Sequence, residues 1–553
     1  MAVTASEIIV SELEHHGVEY VFGLPGDENL HFMNALEKSS IEFVLVRHEA
    51  AAGYMANLYG QITGKIAVAM TTLGAGAMNI ATPVAQAYLG AQPVLYITGQ
   101  KPVRDNMQGK YQLVDVVSVL KPITKFSTSI ASGKAAASVT HEALQLALEE
   151  RRGPVHIELP MDVATEEGEF GTFPMNPAEQ ARPTDASIHK AVEMISEAKS
   201  PLILVGGNAN REQGCLALRE FIDKTKIPFF VTMMGKGVVD ERIEQYLGTA
   251  AMPNNDYVHC AVYNSDLVIN IGHDIMEKPP FVMMPDKGPK VIHLNDISAI
   301  ADNVYFPQHQ VVGNIANGLR HLGKHLEPNP SWDFSNTYKA KAAQAKSVNS
   351  EADNTSAFPI KPQFLAKTVR SFLTDTDIIS VDNGIHKLWF SRNYEAYMPN
   401  TLIIDNALGS MGPGLPGAIA AKLAKPDQTV MAVTGDGGFL MHSQEIETAV
   451  RLGLDLIVVI LNDSGLGMIR LKQASMGFAP NYGVNFSNPD FVKYAESFGA
   501  HGHSIADGAK LAETLQSAKD TGGVHIIDVP VDYPENKKLF MEMQSINCED
   551  VLS

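Results

Sequence analysis

Thr434-Gly435-Asp436-Gly437-Gly438-Phe439 follows the apolar run Val430–Val433 and leads into a helix expected to start near His442. Twenty-seven positions after Asp436 comes Asp463, in Leu461-Asn462-Asp463-Ser464-Gly465, at the end of the next apolar run, Leu456–Leu461. That interval is one strand–helix–strand crossover. It places Asp436 and Asp463 at the carboxyl ends of neighbouring parallel strands, where open α/β sheets bind ligands. A glycine turn opening a helix presents bare N–H groups and the positive end of a dipole, which suits a diphosphate. Asp436 adds an oxygen ligand for a hard cation. Two carboxylates at close range repel unless a cation lies between them. A magnesium ion carrying a diphosphate resolves that conflict. A helix cap at Asp436 and a turn at Asp463 would explain each residue singly but not the pairing.

The same rhythm of apolar run, glycine turn and helical stretch fills the chain. Phe43–Val46, Ile66–Met70, Pro93–Ile97 and Val155–Glu158 come first. Leu202–Val205, Phe229–Thr232, Leu267–Ile271 and Val291–Leu294 follow, then Ile378–Val381 and the two runs around the aspartates, with Val524–Val529 last. Fully apolar strands alternating with helices predict parallel sheets covered on both faces. Two segments read as linkers. Glu166–Asp185 is rich in Pro, Gly and Glu; Glu327–Pro359 has Pro, Asn and Ser around a short helical stretch, Tyr338–Lys346. They divide the chain into 1–165, 186–325 and 358–535. The expected fold is α/β, with three doubly wound parallel-sheet domains. A length of 553 residues fits about three domains of 150–200 residues.

Composition sets further bounds. Hydrophobic residues make up 45% and charged residues 19%, an ordinary globular balance. The formal net charge is -19 and the pI about 5.4. Such a surface repels phosphate backbones and anionic lipids, so neither nucleic acid nor membrane is an expected partner. Met1–Gly17 reads as an amphipathic helix, without the basic and apolar regions of a signal peptide. No apolar stretch of about 20 residues occurs. Cys215, Cys260 and Cys548 show no metal-ligand spacing and cannot all pair, which fits a reduced, cytoplasmic setting. Residues from about 540 onward show no clear element and are expected to close over a site or to move.

Gly435-Asp436-Gly437 followed at this interval by Asn462-Asp463 resembles the motif of thiamine diphosphate enzymes. The resemblance implies metal ligation by Asp436, Asp463 and the carbonyl of Gly465. Aspartate at 463 departs from the family's usual asparagine and is shared by some acetolactate synthases. Gly435, Gly437, Gly438, Gly467, Met468 and His386 would contact the cofactor. Gly409-Ser410-Met411-Gly412-Pro413-Gly414 looks like the segment under the bent cofactor, with Met411 as the wedge and the Gly409 backbone on the aminopyrimidine.

Thiamine chemistry needs a carboxyl group that donates to the pyrimidine ring and so promotes loss of the thiazolium proton. Such a carboxyl works best in apolar surroundings. Glu49, in Arg47-His48-Glu49, matches the family's relay glutamate; His48 reads as a local structural residue. Thr71-Thr72-Leu73-Gly74-Ala75-Gly76-Ala77-Met78-Asn79 is similar to a cofactor-binding turn, with Ala75 in place of the usual proline and Gly74 at the cofactor. In this family the relay glutamate and the diphosphate site come from different subunits. A homodimer, or a dimer of dimers, is therefore implied.

Within the family the chain resembles the flavin-free, catabolic acetolactate synthases. These condense two pyruvates to 2-acetolactate with loss of CO2, through a hydroxyethyl carbanion held on thiamine. Simple decarboxylases carry a His-His pair and a glutamate that protonate this carbanion; here Tyr111-Gln112 and Ile469 stand in those places. Gln112 matches a substrate-positioning glutamine. Met468 and Ile469 would give an apolar lining that favours loss of CO2. Lys472 replaces a tryptophan that favours 2-ketobutyrate, pointing to pyruvate as donor and acceptor. Leu24-Pro25-Gly26-Asp27 resembles instead a decarboxylase loop. Asp27 is read as a helix cap, with proton donation as the alternative. The middle unit has His273-Asp274-Ile275-Met276-Glu277-Lys278 where flavin-binding members carry Arg-Phe-Asp-Asp-Arg, so no FAD is expected. The competing readings are a 2-ketoacid decarboxylase or related lyase, a non-catalytic regulatory subunit and a flavin-dependent oxidase.

Overall fold

A computed structural model describes residues 3–553 apart from 105–109, 172, 175–179, 253–254, 278–287, 301–304 and 480. Lys278 therefore lies outside the described residues. Three six-stranded sheets form among those described. All strand pairs within them are parallel. The three-domain α/β expectation holds. Its physical basis is visible in Ala67–Thr71, Val94–Gln100 and Val155–Pro160, which are buried at every position. Strands apolar on both faces need helices on both sides.

The chain forms two compact units. The first comprises 1–179, 408–427 and 442–454. Its sheet runs in the order Glu42–Leu45, Tyr20–Leu24, Ala67–Thr71, Val94–Gln100, Val155–Pro160, Phe126–Ser129. Connections leave Tyr20–Leu24 and Ala67–Thr71 in opposite directions. The crevice between those two strand ends is the switch point where α/β sheets take ligands. The helix Glu49–Thr63 is Ala- and Gly-rich and buried through its first twelve residues. A helix apolar all round must be covered all round. The helices Ala81–Leu89 and Gly414–Ala424 pack against it.

The second unit comprises 180–407, 428–441 and 455–553 and holds the other two sheets. In the C-terminal sheet the order is Leu402–Ile404, Ile378–Val381, Val430–Gly435, Leu456–Asn462, Val524–Pro530, His501–Ser504. Its switch point falls between Ile378–Val381 and Val430–Gly435. Two buried ion pairs join the middle and C-terminal portions. Arg392 holds Asp256 through two hydrogen bonds of 3.0 Å. Lys236 meets Glu241 at 2.7 Å, and Glu241 also accepts from the Ala396 N–H. Removing one partner of such a pair costs roughly 3–5 kcal/mol, because the other charge stays buried.

Four expectations change. The second linker holds a full helix, Ser335–Val348, with Thr337, Ala340 and Gln344 buried. The helical stretch expected at Tyr338–Lys346 is extended at both ends, as its alanine and lysine content allows. The tail is ordered as the helices Pro534–Ser545 and Cys548–Leu552. Cys548 is bonded to Cys260 across 288 positions, fastening the last helix to Tyr257–Asn264; Cys215 alone is free. Sequence distance says nothing about such a pairing. Finally, the helix after the glycine turn begins at Asp436 itself and ends at His442. The amphipathic N-terminal helix is present as Ala5–His15, capped by Thr4. No described helix is long and apolar enough to cross a membrane.

Candidate active site

In the second unit the two aspartates end neighbouring strands as their spacing requires. Asp436 is buried, 2% exposed. Its Oδ1 accepts from the Gly437 N–H at 2.8 Å, and its Oδ2 from the Ser464 N–H at 2.7 Å and the Asn488 amide at 2.8 Å. Asn488 also donates to Asn462 Oδ1 at 3.0 Å, so one side chain clamps both loops. Ser464 takes the left-handed conformation, φ 54°, that turns the chain back over Asp436. Burial raises the Asp436 carboxyl above its usual range. Burial and the Asp436 charge push Asp463 up to about 6. The Arg470 guanidinium lies 3.8 Å from Asp463 Oδ2 and hydrogen-bonds the Asp463 carbonyl, partly offsetting that repulsion. The Gly465 carbonyl accepts from the Gly467 N–H at 3.1 Å and retains a second lone pair.

At the switch point His386 is buried, and its Nε2 has no hydrogen-bond partner among the described residues. Burial lowers its pKa to about 4, so the ring is neutral, with the Asp382 backbone as a hydrogen-bond partner. A Cβ on Gly435 would sit 3.3 Å from that imidazole. A Cβ on Gly438 would sit 2.6 Å from Asp382 Oδ2, which accepts from Thr434 Oγ1 at 2.9 Å. An unpaired imidazole nitrogen, a glycine-lined turn and two carboxylates with raised pKa values fit a divalent cation holding a diphosphate. Met468 packs on the adjacent core, whereas Ile469 is 47% exposed and Lys472 is exposed.

The first unit carries the other predicted residues. Glu49 is the first residue of its helix and is buried, 8% exposed. Its Oε2 accepts from the Asn79 amide at 2.8 Å. His48 is the N-cap, its Nδ1 accepting from the Ala50 N–H at 3.1 Å, the structural role expected for it. Gly74 has φ 56°, and the Gln112 carbonyl would lie 3.0 Å from a Cβ there. Gln112 and Tyr111 are exposed beside that turn. Leu24 ends its strand, and Gly26 packs so closely on Thr72 that a Cβ would fall 2.4 Å from the Thr72 hydroxyl. The helix-cap reading of Asp27 is corrected. Gly26 occupies the N-cap without a side-chain cap bond, and Asp27 is exposed as the first residue of the turn Asp27–Asn29. Gly409 has φ 72°, and the neighbouring Ser410 hydroxyl pairs with Tyr54 of the Glu49 helix at 2.6 Å. Met411 is half-buried.

Three supporting residues escaped the sequence reading. Asn488 lies in a loop with no motif. Asn79 closes the quoted glycine turn, but its partner could not be read. Glu445, fully buried, accepts from the Arg47 N–H at 3.0 Å and from Thr448 at 2.6 Å, fixing the strand end before Glu49.

Three family descriptions match the chain: the thiamine pyrophosphate enzyme N-terminal TPP binding domain over residues 3–119, the central domain over 188–322 and the C-terminal TPP binding domain over 382–529. Fold, site and these matches define one class: the chain belongs to the thiamine pyrophosphate enzyme family. Within it, relatives of nearly equal length are acetolactate synthases. The chain is 32% identical to "Acetolactate synthase" of Bacillus subtilis (strain 168), over 97% of this chain and 94% of that one. It is 30% identical to "Acetolactate synthase, catabolic" of Raoultella terrigena, over 97% of each. It is also 30% identical to "Acetolactate synthase isozyme 2 large subunit" of Escherichia coli (strain K12), over 97% and 96%.

Two expected results arise here. A Cβ at Gly467 would lie 2.8 Å from Asp463 Oδ2. Gly467→Ala should therefore displace that carboxylate and weaken magnesium-dependent cofactor binding roughly 10–100-fold, the range for groups that orient ligands. A magnesium titration followed by cofactor-induced fluorescence change reads it, and unchanged affinity would contradict the ligand role of Asp463. Burial raises Glu445 from 4.5 to about 7. The folded state holds that proton longer than the unfolded state, so stability falls as pH rises from 4.5 to about 7 and then levels. Glu445→Gln escapes this penalty. Its stability relative to wild type should improve by ~3 kcal/mol between pH 5 and 8. Thermal unfolding at the two pH values checks the sign.

Proposed function

We propose that the chain is an acetolactate synthase, which condenses two pyruvates to 2-acetolactate and CO2 with thiamine diphosphate and magnesium. One observation carries the reading. The chain is similar to acetolactate synthases over nearly its whole length while keeping the buried glutamate and paired aspartates that the cofactor's chemistry uses. The bound cofactor supplies a carbon nucleophile that stores the acyl anion equivalent left by decarboxylation. Asp436, Asp463 and the Gly465 carbonyl hold the metal. His386 Nε2 and the Gly435–Gly438 turn hold the diphosphate. Glu49, steadied by Asn79, holds a proton at the pyrimidine ring; the family resemblance assigns Gly74, Gly409, Met411 and Met468 as further cofactor contacts.

Gln112 orients the second ketoacid. With Tyr111 and Ile469 where decarboxylases place acids, no side chain there delivers a proton early. The family resemblance adds Leu24, Gly26 and Lys472 to the residues assigned to substrate. Asp27, freed from a capping role, is the residue through which aldehyde release would arise.

At the middle sheet's switch point the Glu277 carboxylate accepts from the Gly207 N–H at 2.6 Å. A carboxylate there disfavours a second diphosphate, which supports a flavin-free enzyme. A homodimer or dimer of dimers is the working assembly, as the family resemblance implies. The acidic chain is assigned to the cytoplasm; the Cys260–Cys548 bond is the observation that pulls against that assignment.

The ratio of pyruvate consumed to CO2 released tests the reaction. Two to one supports condensation; one to one makes the protein a decarboxylase.

A further inference from the structure

Far along the chain from the paired aspartates, the first unit gathers three metal-binding side chains at one point. Glu12 and His16 stand one turn apart at the end of the helix Ala5–His15. His141 comes from the helix Ala136–Leu148, which packs against it. One ligand atom from each lies within 4.8 Å of the others. Glu12 is 5% exposed and His141 8% exposed, and His16 is half-buried.

Glu12 Oε2, His16 Nε2 and His141 Nδ1 are all buried, and none has a hydrogen-bond partner among the described residues. Glu12 Oε2 and His141 Nδ1 stand 3.6 Å apart. A buried polar atom left unpaired costs about 1–3 kcal/mol, so three at one point need a common explanation. The two imidazoles lie edge to face, centroids 5.1 Å apart, and the Phe173 ring covers His141 at 5.0 Å.

The tautomer of His16 is set by its surroundings. Its Nδ1 lies 3.0 Å from the Glu12 carbonyl, an acceptor, so Nδ1 carries the proton and Nε2 presents a lone pair to the cluster. This is the outer-shell hydrogen bond that metal-bound histidines make.

We infer that Glu12, His16 and His141 form a site for a zinc-class divalent cation, distinct from the proposed Asp436–Asp463 magnesium ligands. Two imidazole nitrogens and one carboxylate oxygen select zinc or cobalt over magnesium or calcium, which prefer oxygen alone. Three protein ligands leave a fourth tetrahedral position for water. Bonds of about 2.0–2.2 Å would bring the three ligand atoms together around the ion. The ion would fasten the N-terminal helix to Ala136–Leu148 in the unit that carries Glu49.

The test uses the full-length enzyme, stripped with chelator and then saturated with magnesium and thiamine diphosphate to occupy the other site. Cobalt(II) is the probe. One equivalent per chain should give visible tetrahedral d–d absorption, which zinc abolishes by displacement. His16→Gln and His141→Gln should each weaken cobalt binding at least 10-fold. Asp436→Asn should leave the absorption intact. Far-UV circular dichroism and retained pyruvate turnover by His16→Gln show that the fold survives. Absence of the absorption in folded protein overturns the site. So does absorption that survives both histidine variants or vanishes with Asp436→Asn. A Glu12–His141 ion pair, seen as pH-dependent stability with no response to cobalt or zinc, overturns it as well.

Discussion

Glu49→Gln is expected to lower acetolactate formation by roughly 10²–10⁴-fold, the range for a positioned acid–base group. The amide keeps the size of the side chain and can still receive the Asn79 hydrogen bond. It cannot hold and return a proton at the pyrimidine ring. Because Glu49 lies at a helix start, the loss of charge removes a dipole interaction of only about 0.3–1 kcal/mol, so the fold should persist. The diagnostic pattern is a collapse in turnover with cofactor affinity changed only a few-fold. Steady-state kinetics with a parallel binding titration read both quantities. Collapse of both together would make Glu49 a structural residue.

Asp436→Asn should have an equally large effect by a different route. The Asp436 carboxylate meets three donors: the N–H groups of Gly437 and Ser464 and the Asn488 amide. Whichever way an asparagine turns there, its NH2 faces donors already in place. It also removes one of the two charges proposed to hold the metal. Magnesium-dependent binding of thiamine diphosphate should fall by at least the roughly 10–100-fold seen when a metal site's supporting groups are lost. The cofactor-free protein should not suffer in the same way. Burial and the Asp436 charge raise Asp463 to about 6, so removing the neighbour relieves a repulsion. Thermal unfolding separates the two effects: the stabilisation by cofactor plus magnesium should vanish, while the apoprotein still unfolds cooperatively. A variant that keeps the full ligand-induced shift would remove Asp436 from the ligand set.

The paired-aspartate site was legible because strand and glycine turn fix the backbone there. One crossover between Asp436 and Asp463 leaves little freedom in where their side chains emerge. The same holds for Glu49, pinned between the end of Glu42–Leu45 and an alanine-rich helix. Helix boundaries were less legible. The glycine turn passes into helix at Asp436 because Gly438 tolerates the tight approach to Asp382, and Gly437 that to Leu466 and Phe486, all tertiary contacts. Partners distant in sequence could not be read at all. Asn488, Glu445 and the Cys260–Cys548 pair are brought to their places by the packing of whole elements. Asp27 was misread because a residue favoured at caps stands next to a glycine that takes the position. The helix Ser335–Val348 shows how a segment with linker composition still folds when a few small side chains find a core.

The most direct test of the account is carbon-13 NMR of the products formed when the purified protein, thiamine diphosphate and magnesium meet pyruvate labelled at C2. The account predicts 2-acetolactate, labelled at both its ketone and its tertiary carbinol carbon, as the main product. Acetaldehyde as the main product, or no consumption of pyruvate by protein that has bound the cofactor, would contradict it.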